Sequence, residues 1–134
     1  MISARGLSSR ATVHGRYDHR KDLPAIAARN HVFIHTSRFE GGPCFALMEL
    51  LQAGRFVIAS PVGGIPDIYD GRPEIGRLVP PHDPVAIASA LDNALDHIGK
   101  GLFDPSQPRR TYADHFAEPH AHAQFMSALG LGAC

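Results

Sequence analysis

Three short runs of β-favouring residues, each leading into a turn that holds glycine or proline, constrain this chain more than any other feature. They are 31–36 (HVFIHT), 55–60 (RFVIAS) and 76–80 (GRLVP). Helix-length stretches stand between them: 44–53, stopped by Gly54, and a shorter piece at 65–69 before Asp70-Gly71. The 13 glycines and 11 prolines punctuate the chain too closely for a helical bundle. Strand, turn and helix in repeated succession predict an α/β fold, a parallel sheet flanked by helices, whose ligands gather outside the carboxyl ends of the strands.

The flanks extend the pattern. Asp83 and Pro84 form a helix start, cap followed by first-turn proline, and Val85, Ile87, Ala88, Leu91, Ala94, Leu95 and Ile98 give that helix an apolar face. Upstream, 12–15 reads as an edge strand and 22–30 as a short helix. Downstream, 112–129 reads as helix interrupted at Pro119. Three or four strands are few for a doubly wound sheet, so the domain is expected to be partial and Rossmann-like. The expected division is a frayed basic stretch at 1–12, the sheet domain at 13–99 and a helical segment at 100–134.

Charge excludes one class of partner. Thirteen basic and thirteen acidic residues balance at a pI near 7.1, which argues against a nucleic-acid surface spread over the molecule. Residues 1–38 nevertheless hold seven of the basic residues against Asp18 and Asp22. No apolar stretch suits a membrane span and the opening MISARGLSSR lacks a secretory core, so a cytoplasmic chain is expected. Cys44 and Cys134 are too few for a disulfide framework.

The densest chemical signal is Thr36-Ser37-Arg38-Phe39-Glu40-Gly41-Gly42-Pro43-Cys44-Phe45-Ala46-Leu47-Met48-Glu49. Glycines ahead of a helix let an anion approach its unpaired first amides and the positive end of its dipole. With a helix beginning at Pro43, which has no N–H, the donors are Cys44, Phe45 and Ala46 beside Gly41 and Gly42. Glu49 then lies about 9 Å along the axis, the separation of a diphosphate from the ribose of its own nucleotide. Glu40 stands on the other side of the phosphate, where an attached sugar must lie. The competing reading is a solvated turn residue and a helix-surface charge. Neither a G-x-G-x-x-G nor a G-x-x-x-x-G-K-[ST] sequence is present.

The succession EGGPCFALMELLQAG, RFVIASPVGGIPDIYDG and GRLVPPHDPVAIASAL resembles the donor-binding region of group 1 glycosyltransferases, the family 4 retaining enzymes of GT-B architecture. The resemblance covers roughly 13–98, and more weakly continues to 129. It implies a Rossmann-like domain that holds a nucleotide-diphosphate sugar and faces a separate acceptor-binding domain. The family motif is Glu, seven residues, Glu. Its second Glu matches Glu49, for ribose, and its first matches Glu40, for the donor sugar near the reacting carbon. Here eight residues intervene, a departure that the Gly41-Gly42-Pro43 turn can absorb. Val13-His14-Gly15-Arg16-Tyr17 resembles the family segment that meets the nucleobase, which makes Arg16 and Tyr17 base-side candidates. Arg38 is a candidate cation near the phosphates. The Val62-Gly63-Gly64 turn matches a block near the donor, and its glycines are read mainly as packing devices.

The family's diphosphate-binding Arg and Lys have no counterpart before Val13, and the chain is about a third of the family's length. A fragment is therefore expected, inactive on its own. The resemblance calls for no metal or other cofactor, and the nine histidines fit no zinc spacing, either at His115, His120 and His122 or at His31 and His35. A retaining glycosyltransferase donor part is the leading reading. The alternatives are a non-catalytic nucleotide-binding or protein-docking remnant and, behind it, a nucleotide-sugar epimerase of the same architecture.

Overall fold

Phe56, Val57, Ile58 and Ala59 carry no polar side-chain atom to leave in water on either side, and the sheet is built around them. In the computed structural model, which describes residues 5–42 and 44–129, these four residues are the central strand β2 (Phe56–Ala59), buried throughout. It pairs in parallel with β1 (Val32–His35) and β3 (Gly76–Leu78), in the order β1-β2-β3. Val32 stands opposite Phe56 and His35 opposite Ala59, while Val57 stands opposite Gly76. A continuous apolar run in place of alternation is what a strand covered on both faces requires.

The two faces bury different partners because successive side chains point to opposite sides. Val57 and Ala59 pack with Leu47, Leu50 and Leu51 of α2 (Phe45–Gln52) and with Ile65, Ile68 and Tyr69 of α3 (Ile65–Tyr69). Phe56 and Ile58 pack with Val79 and with Ala94 of α4 (Pro84–Gly99). Leu47, Leu51, Ile58, Ile65 and Ile75 are fully buried. At about 1.5–3 kcal/mol for each large apolar side chain removed from water, these side chains dominate the stabilisation. The corner leading into β3 is closed over the backbone. Tyr69 donates its phenol to the Val57 carbonyl at 2.8 Å, and Gly76 has φ +157, where an added Cβ would overlap that same carbonyl.

Several expectations hold closely. The short helix falls at Ile65–Tyr69, and Asp83 caps α4 by accepting from the Val85 and Ala86 amides. The apolar face of α4 is rotated from the predicted one: Ala86, Ile87, Ala90, Leu91, Ala94 and Ile98 meet the sheet, while Val85, Ala88 and Leu95 are exposed. The helix expected at 22–30 starts earlier, as α1 (His19–Arg29), because Asp18 and Asp22 cap it reciprocally. Asp18 accepts from the Arg20 and Lys21 amides, and Asp22 accepts from the Asp18 amide at 2.8 Å.

The predicted edge strand at 12–15 is not formed. The segment runs without a ladder partner, Val13 is 78% exposed, and Gly15 turns the backbone at φ +73. The predicted helix at 112–129 is two helices, α5 (Ser106–His115) and α6 (Glu118–Ala128). The break falls at Phe116-Ala117, ahead of Pro119, which sits in the first turn of α6 where a missing N–H costs nothing. Helix α5 packs on α2, with Thr111 donating to Glu74 at 3.1 Å and Arg109 donating to the Ala53 carbonyl at 3.3 Å. No helix of the described residues is long and apolar enough to cross a membrane. Residues 1–4, Pro43 and Cys134 lie outside the described residues.

Candidate functional site

The loop leaving the carboxyl end of β1 gathers the polar groups. His35, the last residue of that strand, turns its Nε2 to within 2.8 Å of Glu40 Oε1, 3.1 Å of Ser37 Oγ and 3.3 Å of Cys44 Sγ. The His35 and Glu40 side chains are about a quarter exposed, and Cys44 is buried. One imidazole nitrogen carries at most one proton, so three partners share a single donor or lone pair.

The charges follow from that crowding. The Ser37 hydroxyl and His35 hold the Glu40 carboxyl below its ordinary range. Burial pushes the Cys44 thiol up, and the Glu40 charge adds to this, although the Leu47 and Ala46 amides pull the other way. A Cys-His-Glu nucleophilic triad is not what these residues form. Such a triad needs the acid and the nucleophile on different ring nitrogens, and here both lie on Nε2. Among the described residues, the one group of three or more His, Cys, Asp or Glu side chains arranged to hold a metal ion is His35, Glu40 and Cys44, whose ligand atoms lie within 4.8 Å of one another. His115 and His122 belong to no such group.

The Val62-Gly63-Gly64 turn after β2 supports this loop from below. Gly63 has φ +56, and an added Cβ would overlap the Glu40 carbonyl oxygen and come within 2.9 Å of Glu40 Cβ. Gly41 and Gly42 meet no comparable obstacle: a Cβ at Gly41 would touch only the Phe39 ring at 3.7 Å, and Gly42 faces open space.

Helix α2 begins at Phe45 with Cys44 as its N-cap, so its first amides are those of Phe45, Ala46 and Leu47. No side chain makes a capping hydrogen bond there, and the first turn holds no acidic residue. The Leu47 and Ala46 amides favour the ionised form of the Cys44 sulfur without making a capping hydrogen bond to it. Phe45, Ala46, Glu49 and Gln52 form one stripe at helical spacing along the outward side of α2, opposite the buried Leu47, Leu50 and Leu51. Glu49 is thus about 6 Å from the helix start, one turn down the same face and short of the expected distance of about 9 Å, because the helix begins two residues after Pro43. It lines a hollow of about 310 Å³ shared with Arg20, Leu23, Pro24 and Ala27 of α1 and with Gln52 and Ala53.

The remaining predicted residues are placed apart. Arg16 and Tyr17 line a different hollow, about 740 Å³, with His14, Asp22, Ala25 and Arg29 among its walls. Positions 20, 23, 24 and 27 face one hollow and 22, 25, 26 and 29 the other, an offset of two residues that puts the hollows on opposite faces of α1. Arg38 is exposed in the loop after β1. The structure therefore brings Glu40 together with Cys44, places Glu49 on the stripe of Phe45 and Ala46, and does not bring Arg16, Tyr17 or Arg38 into either group.

Residue spacing had singled out neither His35 nor Ser37 as a partner of Glu40, nor Arg20 as a neighbour of Glu49. The available signal was density: His35, Ser37, Glu40 and Cys44 fall within ten positions around one glycine turn. Arg20 gave no signal, because its proximity comes from the packing of α1 against α2.

Comparison with known proteins agrees with this arrangement of strands and helices. The chain is similar in structure to sucrose-phosphate synthase from Thermosynechococcus elongatus, with a TM-score of 0.78 and 27% identity over 96% of this chain and 31% of that one. It is also similar to a glycosyltransferase from Rickettsia africae ESF-5, with a TM-score of 0.79 and 18% identity over 95% of this chain and 33% of the other, a likeness of fold. The chain thus spans about a third of the length of these relatives. No curated protein matches it. A family model described as glycosyl transferases group 1 matches residues 1–97. With the greater part of its length accounted for by that model, the chain belongs to the group 1 glycosyltransferases.

Proposed function

We propose that this chain is the donor-binding part of a glycosyltransferase that takes a nucleotide-diphosphate sugar and transfers the sugar with retention at its anomeric carbon. The observation that carries the reading is the outward stripe of α2, where uncapped first-turn amides stand one turn above Glu49. Amides of Phe45, Ala46 and Leu47, reached over Gly41 and Gly42, hold the diphosphate, and the helix dipole stabilises charge that develops on it as the sugar departs. Glu49 accepts the ribose hydroxyls. Glu40, beyond the glycine turn, contacts the sugar near its reacting carbon, and Arg38 adds a positive charge beside the phosphates. The nucleobase passes over the N-terminal turn of α1, between Arg20 on the Glu49 side and Arg16 and Tyr17 on the other.

The acceptor-binding part is supplied by a further domain or by a second chain. A second reading is that these residues bind the nucleotide sugar without turning it over.

Titration of the protein with UDP, GDP and ADP sugars tests both readings. Saturable binding of one of them is expected, weakened by about 1–3 kcal/mol in Glu49→Ala through loss of a charged hydrogen-bond acceptor. A folded protein that binds none of the three contradicts the proposal, and an unchanged affinity in Glu49→Ala removes Glu49 from the site. Transfer to an acceptor in the presence of an acceptor-binding part separates an enzyme from a binding-only protein.

A further inference from the structure

We infer that the loop after β1 is a site for one divalent cation of the zinc class, held by His35 Nε2, Glu40 Oε1 and Cys44 Sγ with a fourth position open. This shares Glu40 with the nucleotide-sugar reading but is argued from the donor set of the loop alone. A nitrogen, a carboxylate oxygen and a thiol converge, with Glu40 2.8 Å and Cys44 3.3 Å from the same imidazole nitrogen. Zn–N, Zn–O and Zn–S bonds of ordinary length at tetrahedral angles place their ligands about 3.4–3.6 Å apart. All three donor atoms lie within 4.8 Å of one another, so closure needs shifts of no more than about 1.2 Å.

Further features favour a cation. A proton on Nε2 serves one of the three neighbours of His35, whereas a cation in its place serves every donor at once. A neutral imidazole, a carboxylate and a thiolate together carry two negative charges, the complement of a divalent ion. Sulfur and nitrogen ligands select zinc and its neighbours over magnesium and calcium, which take oxygen. The scaffold holds two of the donors firmly: His35 ends a strand of the sheet, and Cys44 is buried at the start of α2. Glu40 is backed by the close approach of Gly63. A trio of protein ligands with one position left open is the arrangement of catalytic zinc sites, where water or substrate completes the shell. The inference departs from the expectation of no metal, which was drawn from resemblance and from the spacing of histidines, because only one histidine takes part.

The test is titration of the chelator-treated full chain with Co²⁺ in the absence of nucleotide. One equivalent is expected to bind, with a near-ultraviolet thiolate-to-cobalt absorption that Zn²⁺ abolishes. The absorption disappears in Cys44→Ser and persists in Cys134→Ser, and His35→Ala and Glu40→Gln each weaken the affinity at least about tenfold. No saturable binding overturns the inference, as does a band that survives Cys44→Ser or vanishes in Cys134→Ser. If circular dichroism shows Cys44→Ser unfolded, Glu40→Gln decides, and wild-type affinity in that variant overturns the site. The titration contains no nucleotide, so its failure leaves the donor-binding reading standing and the two are separately falsifiable.

Discussion

Two strand-to-helix turns in this chain carry a glycine pair, and they use it for opposite ends. After β2, Gly63 lies in the left-handed region and its missing Cβ makes room for the Glu40 backbone, so that glycine is demanded by the protein's own packing. After β1, a Cβ at Gly41 would make only ordinary contact with the exposed Phe39 ring and one at Gly42 would meet nothing, and the polar Ser37 and Glu40 lie in the same loop. A glycine whose Cβ would collide with the fold serves the fold. One whose Cβ would meet solvent leaves its backbone open to something from outside.

The largest effect expected from this contrast is in the turn after β2. Gly63→Ala forces a side chain into the left-handed region and into the Glu40 carbonyl, and urea denaturation is expected to show a loss of about 2–3 kcal/mol. A loss below about 0.5 kcal/mol would erase the distinction between the turns. On the same side of the sheet, Tyr69→Phe leaves the buried Val57 carbonyl without its phenol donor, and about 1–2 kcal/mol is expected. The same burial pushes the Tyr69 phenol well above its ordinary value, so ultraviolet titration is expected to show it un-ionised until the fold is lost in alkali.

The turn after β1 gives a smaller, pH-dependent signal. Glu40 ionises more readily in the folded chain than its ordinary value of 4.5, so the stability it contributes is present above that pH and is lost as pH falls through its lower folded value. Glu40→Gln is expected to remove this part of the acid dependence, and an unaltered acid profile would show that Glu40 does not interact with Ser37 and His35 as described. The smallest effect falls at Gly42. Gly42→Ala is expected to change stability by less than about 0.5 kcal/mol. Nucleotide-sugar affinity is expected to fall in the same variant, and a loss of stability like that of Gly63→Ala would show that both turns serve packing.

The sheet was legible because Phe56-Val57-Ile58-Ala59 has one physical solution, burial on both faces, and because Gly54 and the Asp83-Pro84 start mark helix ends by local chemistry. Helix ends set by a reciprocal contact were harder to place. Asp18 caps α1 while Asp22 accepts from its amide, and the two-residue break between α5 and α6 precedes Pro119. In the candidate site, Glu49 and the glycine turn follow from the local order of residues. The meeting of His35 with Cys44 and the opposed hollows on α1 depend on how the loop folds back and on which face of α1 meets α2. Periodicity in a single segment does not encode either of these.

The central claim is that the amides opening α2 receive the diphosphate of a nucleotide sugar. Amide chemical shifts of the isotope-labelled chain, followed while a UDP, GDP or ADP sugar is added, test it most directly. The Phe45, Ala46 and Leu47 amides are expected to move most and to saturate together with residues beside Glu49. Saturable binding that leaves those three amides unmoved would contradict the claim.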